Sequence, residues 1–258
     1  MVQEAYLRWH RTPAESIRTP QAWLVTTVTR LSIDRLRQLR AERDLYTGPW
    51  LPEPLVAEAA PAADRDTELA SELSIALLAM LERLAPEERA AFLLREVFDV
   101  GYDDISVILG KSEAACRQVV SRAAKRVRAK RPRVEVNPEA TRHLLQTFAD
   151  AVRAQDKDTL LEIFAREATW TSDGGGKAKA ALKVIHGAEQ IARFATGVFR
   201  KAGDKLEFRL VSVNGEPGLA ALVGGNLLSI ISIRTDGQRI LDVYVVLNPE
   251  KLRRVHIS

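Results

Sequence analysis

Five side chains in one short stretch could bind a polyanion: Arg117, Gln118, Ser121, Arg122 and Lys125. Guanidinium and ammonium groups pair with phosphates, while Arg, Gln and Ser also donate to base edges. From Arg117 to Arg133 there are eight Arg or Lys and no acid. Cys116, Val120, Ala123 and Val127 recur at i, i+4, i+7 and i+11, so the same helix carries an apolar stripe on another side. A solvated basic helix end is the plain alternative. The place of the run within a larger helical arrangement argues against it.

That arrangement is the stretch Ala85–Arg133. Pro86, Glu87 and Glu88 suit a helix start, because Pro fits the first turn and acids suit the positive end of the dipole. The helix is expected to reach about Val97. Gly101 ends the connection, a short helix follows from about Tyr102 to Leu109, and Gly110 supplies the turn. Ser112 is the N-cap of the long basic helix. Helix, short helix, glycine turn and long helix make a helix-turn-helix, whose last helix enters the major groove. Leu69, Leu73, Leu77, Leu81 and Leu84 extend the helical spacing upstream.

Other groups could do different chemistry. Asp242 and Tyr244 share one face of a strand, with Trp170 and His186 expected nearby, which is the equipment of an acid–base site. A hydrogen-bonded or solvated pair is the competing reading, and no enzyme activity is expected. His10, His143, His186 and His256 are scattered, so neither a metal site nor a cofactor is expected. The single cysteine, Cys116, allows no internal disulfide and fits a reducing cytosol. It reads as a small core residue, with redox sensing the alternative.

In DGGGK, residues 173–177, three glycines let backbone N–H groups turn toward one acceptor between Asp173 and Lys177. The segment reads as a flexible strand connection, a docking loop for another part of the chain, or a small-ligand site. It is no P-loop, since Thr171 stands where the first glycine belongs; GKS at 110–112 fails likewise at Ile105.

The elements that must position these groups divide the chain in two, as 258 residues imply. Hydrophobic residues at 46% support packed cores, and the net charge of +4 matters less than its clustering. No signal peptide opens the sequence, and the longest apolar run, Gly218–Ile233, is broken by Gly224, Gly225 and Asn226, so it reads as two strands. VQEAYLRWH is helical, with Val2, Ala5, Tyr6 and Trp9 on one stripe. After RTPAESIRTP a helix is expected from Gln21 to about Arg43. Its apolar face uses Trp23, Leu24, Thr27, Leu31 and Leu36, and its other face carries Arg30, Arg35, Arg37 and Arg40.

Residues 48–68 contain Pro49, Pro52, Pro54 and Pro61 and are expected to be extended. WLPEP at 50–54 reads either as a groove-docking peptide or as a spacer with an incidental Trp. After a hinge at 132–137, helices are expected at 138–154 and Thr159–Arg166, the first burying Leu144, Leu145, Phe148 and Val152. The period then changes to two. Strands are expected at Ala168–Ser172, Ala180–Ile185, Lys205–Asn214, Gly218–Gly224, Leu227–Thr235 and Arg239–Leu247, with a helix at Ala188–Lys201 and a turn at Asp236–Gly237. The sum is an α+β cone: a curved antiparallel sheet with three helices.

QAWLVTTVTRLSIDRLRQLRAER resembles region 2.3–2.4 of bacterial sigma factors of the extracytoplasmic-function (ECF) group, and VQEAYLRWH the end of region 2.2. LAPEERAAFLLREVFDVGYDDISVILGKSEAACRQVVSRAAKRVR resembles region 4. The second half resembles SnoaL-like domains, whose relatives include polyketide cyclases and ketosteroid isomerases. Sigma factors with such a domain fused behind them carry WLPEP, DGGGK and NPEKL-like segments; here these stand at 50–54, 173–177 and 248–252. The resemblance implies a multi-domain chain: partial all-α region 2 at 1–47, linker at 48–68, region 4 at 69–131, hinge at 132–137 and an α+β SnoaL-like cone at 138–258.

The resemblance also implies roles. Gln3, Glu4 and Arg8 would meet core RNA polymerase, and the loop Arg11–Thr19 would receive a base flipped from the −10 element. Arg30, Arg35 and Arg37 would track the −10 strand. Arg117, Gln118, Ser121, Arg122 and Lys125 would read the −35 element, with Val119 standing where many relatives carry a basic residue. Regulatory contacts within the chain would use Trp50, Leu51, Pro52, Asp173, Gly174, Gly175, Gly176, Lys177, Asn248 and Pro249. The expected partners are core polymerase and promoter DNA, with no membrane, a cytoplasmic location and room for a small ligand. Family members carry helices ahead of the stretch that opens here, so the chain alone is expected to melt promoters poorly. The alternative is an ordinary helix-turn-helix regulator with a ligand-binding or cyclase-like domain.

Overall fold

A computed structural model describes residues 1–17, 19–58, 74–128, 136–201 and 203–257. The expected leucines at 69 and 73, the basic tail beyond 128 and most of the hinge at 132–137 lie outside the described residues. The chain forms two compact units, residues 1–45 with 80–131 and residues 46–79 with 132–258.

In the first unit, α1 (Val2–Arg11) packs on α2 (Pro20–Asp44), with Trp9 set edge-on to Trp23 at 5.4 Å between ring centroids. Proline opens α2, where its missing N–H is no loss. Ala5 is the buried residue of α1; Val2 and Tyr6, expected on its apolar stripe, are exposed. On α2, Ile33 is buried, whereas Leu24, expected inside, is exposed. A short helix, α3 (Ile75–Leu81), straddles the division between units.

The helix-turn-helix follows as α4 (Pro86–Glu96), α5 (Tyr102–Leu109) and α6 (Glu113–Arg128). The Ala85 N–H donates to Glu88 Oε2 at 3.1 Å and so satisfies an orphan donor at the start of α4. Gly110 ends α5 at φ 65°, a left-handed conformation that a β-carbon disfavours. Ser112 Oγ accepts from the Ala115 N–H at 3.3 Å and caps α6. Leu94, Ile105, Ile108 and Cys116 form the core between these helices. Val120, Ala123 and Val127 are buried with them. Burying a side chain such as Ile105 contributes about 2 kcal/mol. Burial pushes the Cys116 thiol pKa up, which suits an inert core residue.

The second unit is a seven-stranded sheet in the order β1-β4-β5-β6-β7-β2-β3. Its strands are β1 (Val56–Glu58), β2 (Phe164–Asp173), β3 (Ile185–His186), β4 (Leu206–Val213), β5 (Glu216–Val223), β6 (Asn226–Thr235) and β7 (Ile240–Val246). Helices α7 (Pro138–Ala154), α8 (Lys157–Ile163) and α9 (Ala188–Arg200) cover its inner face. Phe148, Phe164, Trp170, Ile191, Phe199, Ile231 and Val245 belong to the core between them. A short helix, α10 (Pro249–Leu252), follows the last strand.

Three expectations change here. β2 pairs with β7 in parallel, so the sheet is mixed rather than antiparallel. No hairpin joins those two strands, and nothing local in the chain sets their relative direction. The strand expected at Ala180–Ile185 shrinks to Ile185–His186. The chain is still leaving a glycine turn, with Gly175 and Gly176 at positive φ. Helix α8 stops at Ile163 rather than Arg166, because Phe164 already runs extended into β2 and is buried in the inner core.

The outer face is covered as well. Leu51, Val56, Ile75 and Ala76 pack on Val211, Val213, Ala220, Ile230, Tyr244 and Val246. Val56 pairs with Val213, so part of the expected linker is an edge strand of the cone sheet. Neighbouring residues on a strand face opposite sides: Ser172 sits in register with Val245 on the inner face, Asp173 with Val246 on the outer face.

Candidate functional site

Helix α6 presents Arg117, Gln118, Ser121, Arg122 and Lys125 to solvent, opposite its buried stripe. Val119, between them, is half-buried. Arg117 pairs with Glu113 at 3.0 Å, and its guanidinium lies 4.4 Å from the centroid of the Tyr102 ring. Tyr102 was not singled out from sequence; an aromatic at the first position of α5 was its only signal. Arg126, on the same helix, is held by Glu88 at 2.9 Å.

The basic residues of α2 differ in availability. Arg30 donates to the carbonyls of Ile108 at 3.0 Å and Val107 at 2.9 Å, and so caps the end of α5. Arg37 pairs with Asp34 at 2.9 Å and Glu87 at 2.7 Å. Lys111 also reaches Glu87, at 3.2 Å. Burial would raise the Glu87 pKa, but Lys111 and Arg37 outweigh it and hold the carboxyl below its usual range. Arg35 is exposed and reaches Glu42 at 3.5 Å. On α1, Gln3, Glu4 and Arg8 are exposed, and Glu4 pairs with Arg8 at 3.1 Å.

In the second unit three motifs distant in sequence converge on one carboxylate. Asp173 is fully buried. Its oxygens accept from Tyr46 Oη at 2.5 Å, the Leu51 N–H at 2.8 Å and Lys251 Nζ at 2.6 Å. Lys251 also donates to the Leu51 carbonyl at 2.5 Å and lies 4.0 Å from the Trp50 ring centroid. Leu51 and Pro52 are buried. Asn248 caps α10 through the Glu250 N–H at 3.0 Å and donates to Tyr46 Oη at 2.8 Å. Burial first, and the bond to Asp173 second, push the Tyr46 phenol well above its ordinary pKa.

Close approach explains the glycines. A β-carbon on Gly175 would stand 2.3 Å from Asn248 Nδ2, and one on Gly174 would stand 2.4 Å from the Ala178 carbonyl. One on Gly176 would press on Thr47 at 3.2 Å. Lys177 pairs with Glu250 at the exposed rim and lowers that carboxyl's pKa. Pro249 is exposed. Tyr46 and Lys251, both central, were missed from sequence. Lys251 stands inside the NPEKL motif, and that place was the available signal.

The acid–base candidates do not gather. Asp242 is buried, but it accepts from Arg234 Nε at 2.5 Å and from Thr169. Tyr244 Oη lies 3.4 Å from it. Both are on the outer face, whereas Trp170 faces inward and His186 is exposed on β3. An alternating strand places neighbours on opposite sides of the sheet, so Trp170 cannot join Asp242.

An exposed basic recognition helix in one unit, and a SnoaL-type cone that clasps its own upstream peptide in the other, define a helix-turn-helix protein with an accessory α+β domain. Residues 74–127 match the family described as Sigma-70, region 4, and residues 145–246 match the SnoaL-like domain. The chain is 35% identical over 266 residues to ECF RNA polymerase sigma factor SigJ of Mycobacterium tuberculosis, spanning 97% of this chain and 84% of that one. It is 30% identical over 254 residues to the probable ECF RNA polymerase sigma factor SigI of the same species, spanning 98% and 85%. The crystal structure of M. tuberculosis SigJ superposes with a TM-score of 0.73 at 32% identity, covering 98% of this chain and 88% of that one. The chain belongs to the ECF RNA polymerase sigma factors.

Proposed function

We propose that α6 reads the −35 element with Arg117, Gln118, Ser121, Arg122 and Lys125. The observation that carries this is the pairing of an exposed basic face with a buried stripe on one helix. In this reading α1 meets core polymerase through Gln3, Glu4 and Arg8, and α2 tracks the −10 strand with Arg30, Arg35 and Arg37. Elements about 25 base pairs apart lie about 85 Å apart along straight duplex at ~3.4 Å per pair. Arg30, which caps α5, therefore gives up its carbonyl partners when both elements are read. The protein acts in the cytoplasm and catalyses no reaction.

The SnoaL-like unit regulates in cis. Trp50, Leu51 and Pro52, the glycines 174–176, Lys177, Asn248 and Pro249 form a clamp around Asp173 that fixes the peptide leaving α2. Fixing that peptide limits the separation of the two DNA-reading parts. The −35 assignment is tested by titrating a −35 duplex with Arg122→Ala across a salt series. Binding should weaken, with the slope of log K against log salt shallower by about 1. An unchanged slope places the DNA on another face.

A further inference from the structure

We propose that Tyr102 is a positioning residue: its ring holds the Arg117 guanidinium ready to read a guanine edge in the major groove. The proposal deepens the −35 reading of α6 and rests on it. Tyr102 is the first residue of α5 and packs against the core of Leu94, Ile105, Ile108 and Cys116. Its ring is half-buried, so the core fixes its place. Arg117 is the fifth residue of α6, and the N-terminal residues of a recognition helix are the ones that meet base edges.

Two cations lie over this ring. The guanidinium of Arg117 is 4.4 Å from the ring centroid, and that of Arg95 is 5.2 Å from it. Arg95 is tied down elsewhere: it pairs with Asp99 at 2.9 Å and donates to the Val100 carbonyl at 3.2 Å. Arg117 is exposed, and among the described residues it is held by the ring and by Glu113, which accepts from Nη2 at 3.0 Å. Glu113 takes one of the five guanidinium N–H donors, and the rest remain for a forked contact. An arginine loses rotamer freedom when it binds; one already stacked on a fixed ring loses less.

Charge decides between base and phosphate. A phosphate within reach of Arg117 would also meet the Glu113 carboxylate. A guanine edge is uncharged and offers two acceptors, O6 and N7. Arg122 and Lys125 are exposed without an ion pair among the described residues, and they are the better phosphate partners. Base discrimination then comes from Arg117, and salt dependence from Arg122 and Lys125.

The full chain is mixed with a pool of duplexes randomised over a central stretch, and the bound DNA is sequenced. The expected result is enrichment of guanine at one position, which Arg117→Ala abolishes. Tyr102→Leu should weaken that same preference about two- to fivefold, as loss of an exposed cation–aromatic contact implies, and leave the salt slope of binding unchanged. Tyr102→Phe, which keeps the ring, should retain the preference. In the Arg117→Ala background Tyr102→Leu should change nothing further, whereas a loss of packing alone would weaken binding in both backgrounds. Without DNA, the ring should shift the Arg117 Nε–H proton resonance upfield in the wild-type chain. An unshifted resonance there overturns the stack whatever the variants do. So does a guanine preference that survives Tyr102→Leu, that falls equally with Tyr102→Phe, or that Tyr102→Leu weakens equally without Arg117. Absence of any guanine preference that depends on Arg117 refutes the base contact and this proposal with it; a salt slope that still falls with Arg122→Ala leaves the −35 reading of α6 standing.

Discussion

Replacing Asp173 by Asn removes one negative charge from the centre of the clamp while keeping its volume. Lys251, whose side chain is 12% exposed, then faces a neutral partner, and the single Asn oxygen can keep either Tyr46 or the pair that shares Oδ2, the Leu51 N–H and Lys251, but not all three. Breaking one side of a buried ion pair costs about 3–5 kcal/mol. The hydrogen bonds that survive argue for the lower end, about 3 kcal/mol. The cone has its own inner core around Phe148, Phe164 and Ile231, so it stays folded while the segment 46–58 loosens. At ~1.4 kcal/mol per factor of ten, exchange of the Leu51 amide should quicken about a hundredfold. Hydrogen exchange resolved over residues 48–58 reads this directly. Lys251→Met alone and combined with Asp173→Asn should show strong non-additivity. Unchanged protection of Leu51, or additive effects, would refute the claim that this carboxylate holds the peptide.

Gly175→Ala puts a β-carbon against Asn248 and Tyr46 at positive φ, and should cost more than about 2 kcal/mol, seen as faster proteolysis of 46–58; Gly225→Ala, with open space at similar φ, should cost about 1 kcal/mol. Glu216, on the outer face of β5, is pushed up to about 7 by burial. Its folded pKa is raised, so its contribution is present below about pH 4.5 and is lost as pH rises through 7. Glu216→Gln should therefore stabilise the cone at pH 8 by about 1–2 kcal/mol, solvent screening at its partly exposed side included, and do nothing at pH 4, as thermal melts would show. A stability difference independent of pH would refute that placement.

Periodicity made α6 legible: Cys116, Val120, Ala123 and Val127 mark one face, and the five polar residues fall elsewhere without further information. The long strands of the cone were legible for the same reason, since alternation along β6 and β7 is a local property. The direction of β2 against β7 was not, because no short connection couples them. The prolines of WLPEP signalled an extended segment, but not that Val56 would extend the sheet edge beside Val213. Tyr46 and Lys251 escaped notice because their importance lies in a partner more than 70 residues away. Asp242 misled for a related reason: its strand neighbour was visible, but Arg234, which neutralises it, belongs to the next strand.

Run-off transcription tests the central claim most directly. Core RNA polymerase is programmed with the full chain, its Asp173→Asn variant and a form ending near residue 133, on one promoter carrying −10 and −35 elements. Polymerase-dependent, promoter-specific transcript is expected with the full chain, and altered output once the clamp is loosened or removed. Promoter-specific transcript that is identical in all forms, or none in any, would contradict it.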